Sequence, residues 1–191
     1  MDILEILKQR RTIRFYKQID VPKKDLRDMI DAARHASCAC NFQTLRYMVV
    51  TSQELTEKVF ANTAWAGLVK PHRTPVWGVN AARAFIAVYV PEAAKSINHA
   101  DAGAAICSMQ AVAASRGLGC CWLGAINRDN IKAILDMPES SDLLYLLAVG
   151  YPAETPVAED IDDASKVAYY LDGNNTIHVP KLTVDAITLW K

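Results

Sequence analysis

The chain has 191 residues, of which 51% are hydrophobic and 22% charged, and its formal net charge is +0. That balance argues against nucleic acid or an anionic membrane as the main partner. No apolar run reaches the ~18 residues of a membrane-spanning helix. The length suits one domain, taken as residues 1–191, and the apolar excess points to an extensive subunit interface. Met1–Glu5 is acidic and lacks the basic-then-apolar pattern of a secretory leader. The five cysteines, Cys38, Cys40, Cys107, Cys120 and Cys121, match neither a disulfide framework nor a metal knuckle. Reduced thiols in a cytoplasm are the simplest account, with no metal site expected.

A short amphipathic helix carries Ile3, Leu4, Ile6 and Leu7 on its apolar side and leads into Arg10-Arg11-Thr12-Ile13-Arg14. A second helix is expected from Lys24 to His35, after Val21-Pro22, with Leu26, Met29, Ile30 and Ala33 on one face. Small and polar residues from Ala36 to Gln43 precede a strand over 46–51 and a helix over 54–62. The stretch 65–80 holds two Pro, two Gly and two Trp, too irregular for an ordinary connection, and reads as a binding or lid segment. A buried strand follows at 84–90.

Residues 101–116 form the most hydrophobic helix, and its alanines suit close packing all round, as at the centre of a dimer. An apolar, Gly-rich strand is expected over 118–126, then a helix from Asn127 to Met137 and a buried strand over 143–149. Beyond Pro152 the chain turns polar, as an exchanged arm would, and Thr183 is placed to cap a last short helix. Strands alternating with helices give an α+β or α/β class.

Arg10, Arg11 and Arg14 with the Thr12 hydroxyl concentrate charge in a neutral chain. Forked guanidiniums suit a phosphate dianion, although cations at a helix C-terminus also offset its dipole. The glycines 117, 119 and 124 do not make a dinucleotide fingerprint, because they follow a helix and open a strand. Gly117 reads instead as a helix C-cap. Gly124, ending an apolar strand, lets a flat ligand approach the backbone. Trp65, Trp77 and Trp122 are candidates to stack on such a ligand, each equally a core residue. The loop 36–43 is either a helix end closed by Asn41 or a surface for a heteroaromatic edge. A nucleophilic cysteine served by His35, His72, His99 or His178 has no local signature to support it.

Taken in order, these motifs resemble those of the FMN-dependent nitroreductase family. Arg10–Arg14 is similar to the family's R-R-S-x-R/K element, with Thr12 for serine. Residues 36–43 resemble its A-P-S-x-x-N-x-Q-P-W loop, with Ser37 for proline and Thr44-Leu45 for Pro-Trp. Residues 117–124 resemble G-L-G-x-x-W-x-G, and Val149–Pro152 the strand end A-x-G-Y-P. His178–Lys181 resembles the V-P-K-R segment of one subgroup, which Trp65-Ala66-Gly67 also fits; Leu182 stands at its second basic position.

The resemblance implies an α+β sandwich with a mostly antiparallel sheet flanked by helices, and a homodimer with an exchanged C-terminal arm. It implies FMN at the subunit interface, with Arg10, Arg11, Thr12, Arg14 and Lys181 on its phosphate. Ser37, Cys38, Ala39 and Asn41 of the other subunit would line the ribityl chain and ring, and the Leu123-Gly124 backbone the N5–O4 edge. NADH or NADPH would donate hydride in a ping-pong cycle, and nitroaromatics or quinones would accept it. No protein residue is expected as catalytic acid or base. The same cradle would serve a flavin-binding sensor or carrier.

Overall fold

Alternation along β2 (Ala84–Val90) organises the molecule. Ala84, Ile86, Val88 and Val90 point to one side and Phe85 and Ala87 to the other, all of them buried. A strand buried on both faces requires a layer above and below it. In the computed structural model, which describes residues 2–191, those layers are helical; Met1, part of the leader reading, lies outside the described residues. β2 pairs antiparallel with β1 (Arg46–Val50) and β4 (Asp142–Gly150), and β4 pairs antiparallel with β3 (Gly119–Leu123). The sheet order is β1-β2-β4-β3, the antiparallel α+β sandwich that the resemblance implies.

Leu26, Met29 and Ala33 of α2 (Lys23–Arg34) and Ala102, Ile106 and Met109 of α4 (Ser96–Ser115) cover one face. The other is covered by Val59 of α3 (Gln53–Phe60), Ile131 of α5 (Arg128–Ile134) and Ile13 and Tyr16 from the segment after α1 (Ile3–Gln9). Asn127 caps α5 through Asn130 N–H, as its position predicts. Gly117 (φ +71°) ends α4, and Leu118 N–H donates to Ala113 O at 2.9 Å.

Three expected boundaries shift by three residues or more. α4 begins at Ser96, five residues ahead of the expected start, because Asn98 Oδ1 accepts the Lys95 N–H at 2.8 Å and supplies the cap from inside the helix. β3 ends at Leu123, because the chain leaves the sheet there: Ala125 O accepts from Ala64 N–H, and Ile126 bridges Thr63. α5 stops at Ile134, ahead of a left-handed Asp136 (φ +48°). Within this chain only one face of α4 is covered, and Ala100 and Cys107 on the opposite face are exposed. The apolar side of α1 is likewise open, with Ile3, Leu4 and Leu7 exposed.

Residues 12–16 run extended along the free edge of β3. Ile13 N–H donates to Cys120 O at 3.0 Å, Lys17 N–H to Tyr151 O at 2.8 Å, and Ala153 N–H to Phe15 O at 2.9 Å. Two glycines in register, Gly119 and Gly150, make room for this segment. A Cβ on Gly119 would fall 2.5 Å from Ile13 Cγ1, and one on Gly150 2.7 Å from the Tyr16 ring. Tyr16 is fully buried, and its hydroxyl donates to Ile13 O at 2.6 Å.

The C-terminal region forms a second sheet, β5 (Val157–Ile161), β7 (Ile177–Leu182) and β6 (Tyr170–Leu171), with β5 and β7 parallel. In this chain the polar arm therefore pairs with itself. α6 (Val184–Ile187) follows, capped by Thr183 as expected, and Ile187, Leu189 and Trp190 are left exposed. His178 on β7 stacks on Tyr170 at 5.0 Å, with Nδ1 2.5 Å from Glu159 and Nε2 3.2 Å from Asp172. The hydrogen bonds to Asp172 and then Glu159 raise the His178 pKa. Asp172 is lowered, first by the Thr176 amide and then by His178.

Gly150→Ala is expected to destabilise the fold by about 1–3 kcal/mol through overpacking against Tyr16, read as a lower urea midpoint. A raised histidine pKa contributes stability that is full below about 6.5 and lost as pH rises through the folded value. A lowered aspartate pKa contributes above about 3.9 and is lost as pH falls. These contacts are therefore firmest between about pH 4 and 6.5, and melting temperature should fall as pH rises above about 6.5. His178→Gln should flatten that slope; an unchanged slope would place the titration elsewhere.

Candidate functional site

From Arg11 onward extended backbone sends successive side chains to opposite sides, so Thr12 and Arg14 part from Arg11 and Ile13, while Arg10, at the end of α1, stays on the Arg11 side. Thr12 and Arg14 open onto a cavity of about 300 Å³ whose other walls include Trp65, Lys70, Trp122 and Gly124. Arg10 and Arg11 line a second cavity of about 300 Å³ with Ile6, Gln110 and Gly119. Arg11 Nη1 donates to Arg10 O at 2.5 Å, but Arg10 Nε and Arg11 Nε are buried with no hydrogen-bond partner. Burial, and then the neighbouring Arg10 charge, lower the Arg11 pKa. Buried donors left unpaired are costly, and anionic oxygens would satisfy them. The donor set therefore fits a phosphate.

The first cavity suits a flat group. Leu123 is buried beside it, and a Cβ on Gly124 would meet only the Tyr145 ring, at 3.7 Å. Trp122 is 40% exposed and stands edge-on to Tyr145, with centroids 5.0 Å apart; the Tyr145 hydroxyl lies 3.1 Å from His99 Nδ1. Of the three tryptophans singled out, Trp65 is core, donating to Thr63 Oγ1 at 2.7 Å and lying 6.2 Å from Phe60. Trp77 also packs on Phe60, at 5.7 Å.

Ser37 and Cys38 lie elsewhere, lining a cavity of about 190 Å³ with Tyr47 and Asp101. Burial is the main reason the Tyr47 phenol is pushed up to about 12. Ala39 N–H donates to buried Asp101 at 3.0 Å, and Cys40, Asn41 and Gln43 adopt left-handed φ values of 46°, 54° and 50°. Asn41 is exposed, and so is Lys181 on β7. One chain thus brings together Thr12, Arg14, Leu123 and Gly124, sets Arg10 and Arg11 beside them, and leaves the 37–41 loop and Lys181 apart.

Burial pushes both Cys120 and Cys121 up to about 12, so neither is a thiolate at neutral pH. Among the described residues, no group of three His, Cys, Asp or Glu side chains is placed to hold a metal ion.

Four residues that the sequence reading passed over belong to this region. Lys70 is a cavity wall. Tyr169 carries the Arg14 guanidinium over its ring at 4.9 Å. Glu154 and Arg73 form a buried ion pair at 3.2 Å behind the Arg14 backbone. The signals were thin: a charged residue two positions after Pro152, and two cations inside the lid segment.

The nitroreductase family profile matches residues 7–151. The chain belongs to that family. It is 28% identical over 174 residues to a provisionally named NADH dehydrogenase/NAD(P)H nitroreductase of Methanothermobacter thermautotrophicus, covering 87% of this chain and 86% of the relative. Its fold is similar to that of an FMN-dependent nitroreductase from Clostridium difficile R20291 (TM-score 0.69, 23% identity, 86% of this chain and 97% of that one). It also resembles the Vibrio harveyi NADPH:FMN oxidoreductase solved with NAD+ (TM-score 0.67, 20% identity, 97% and 81%). This nitroreductase-family chain is accordingly an oxidoreductase.

The open space at Gly124 predicts a separation of effects. Gly124→Ala should change stability by less than about 0.5 kcal/mol in a thermal melt, since nothing is displaced. It should nevertheless weaken binding of a planar ligand measured by titration. A large loss of stability would mean that Gly124 is structural.

Proposed function

We propose that this chain is an FMN-dependent oxidoreductase that takes hydride from NADH or NADPH and reduces nitroaromatics, quinones or similar electron-poor acceptors. The observation that carries the reading is the pair of buried, unpartnered guanidinium nitrogens on Arg10 and Arg11 in one cavity, one step along the chain from Thr12 and Arg14, which line the cavity bounded by Gly124 and Trp122. When bound, FMN supplies the hydride chemistry, and the protein supplies position and electrostatics. Arg10, Arg11, Thr12 and Arg14 hold the phosphate by charge-assisted bonds. Leu123 and Gly124 offer backbone to the ring, and Lys70 adds a cation at the cavity wall.

The remainder of the site comes from a second copy. Ser37, Cys38, Ala39 and Asn41 of the partner line the ribityl chain and ring, and Lys181 returns to the phosphate. Exposed apolar residues on α1, Phe42 on the 37–43 loop, and Leu189 and Trp190 in the tail give a homodimer the surface it needs. All 191 residues act as one domain, with no nucleic acid or membrane partner; among the described residues no helix is long and apolar enough to cross a membrane. The five free cysteines suit a reducing cytoplasm.

The test starts from the visible spectrum. The purified protein, given FMN if needed, should hold about one flavin per subunit and bleach anaerobically with NAD(P)H within seconds. Flavin bands that persist under NAD(P)H would instead indicate a sensor or carrier. Replacing Arg10 and Arg14 together by Ala should weaken FMN binding by about a hundredfold or more, the loss of two charge-assisted contacts. Unchanged affinity would sink the phosphate assignment.

A further inference from the structure

Glu154 and Arg73 are each only 6% exposed at the side chain, and together they tie three separate parts of the chain. Glu154 Oε1 accepts the Arg14 N–H at 2.5 Å and the Phe15 N–H at 3.1 Å. Its Oε2 faces Arg73 Nε at 3.2 Å. Arg73 comes from the middle of the 65–80 lid, lies over the Phe15 ring at 4.9 Å, and donates through Nη2 to Asn175 O in the turn between β6 and β7. Tyr169 makes a second tie, beneath the Arg14 guanidinium and accepting the Leu68 N–H at 3.3 Å. Both ties run from the lid to the same two residues, Arg14 and Phe15. Neither Glu154 nor Arg73 lines the cavity of Thr12 and Arg14, so an effect there passes through the groups they hold; Glu154 does line the cavity of Arg10 and Arg11, which is why segment exchange in the flavin-free protein, and not FMN affinity, decides the coupling.

We infer that Glu154 and Arg73 are positioning residues that lock the lid onto the phosphate-facing segment, so that lid closure and the presentation of Arg14 are one coupled event. The FMN reading above supplies only what the cavity holds; the coupling itself stands on this geometry. A buried carboxylate shared between two backbone amides and one guanidinium has two arrangements, paired or broken, and a single break releases both segments. A merely structural ion pair would instead loosen the whole chain evenly.

The experiment is amide hydrogen exchange on the flavin-free protein, alongside FMN titration of the same samples, for E154Q, R73M and R73K. E154Q keeps an oxygen for the Arg14 and Phe15 amides but removes the charge facing Arg73. Exchange is expected to rise together in peptides covering 66–80 and 10–18, by about tenfold or more, while β2 and α2 keep their protection. R73M should do the same, R73K should fall between it and the native chain, and FMN affinity should drop about tenfold in step with exchange. A rise confined to one segment, an even rise across the chain, or no rise at all would overturn the coupling. If the native protein takes up no FMN, the proposed function fails and the exchange data alone decide the latch. If E154Q and R73M do not fold, R73K decides by the same comparison, because lysine keeps the charge but loses the guanidinium's extended plane and its bond to Asn175.

Discussion

The carboxylate of Glu154 is buried just beyond the last strand of the main sheet; the adjacent amides of Arg14 and Phe15 donate to one of its oxygens, and the other faces the Arg73 guanidinium from the lid. A charge in that position is tolerable only when paired and hydrogen-bonded; removing one partner of such a pair typically costs about 3–5 kcal/mol. The constraint fixes the backbone of Arg14 and Phe15, and through Arg73 it fixes the lid. The candidate site is formed where those two segments meet β3.

Shape is the second constraint, and it is met by subtraction. Gly119 and Gly150 face each other across β3 and β4, and their missing side chains leave a flat place for Ile13 and Tyr16. Without it the residues between α1 and α2 would stand off the sheet edge, and Thr12 and Arg14 would not reach the Trp122 and Gly124 end of the cavity. Electrostatics then act on a surface that packing has already set. Arg10 and Arg11 keep buried donors unpaired, which destabilises the chain alone and favours an anion.

Most of the fold was legible in the sequence because its signals are local. An apolar face located α2, buried apolar runs located β2 and β4, and Asn127, Thr183 and Gly117 marked helix ends by the mechanisms expected of them. The start of α4 was hidden because its cap is supplied by Asn98 from within the helix. The end of β3 was hidden because a non-local bond, Ala64 N–H to Ala125 O, turns the chain away from the sheet.

The sequence by itself determined the class of fold, the family, and which short segments carry charge, glycine and indole, because each of these is written in neighbouring residues. The tertiary structure alone decided how those segments face one another. Extended backbone parted Arg14 from Arg11, the end of α1 kept Arg10 with Arg11, and the sheet and helix layers set Ser37 and Cys38 in a cavity away from Arg14 within one chain. Pairing Glu154 with Arg73 joined residues 81 positions apart. That pairing depends on burial and on a low local dielectric, and neither exists until the chain has folded.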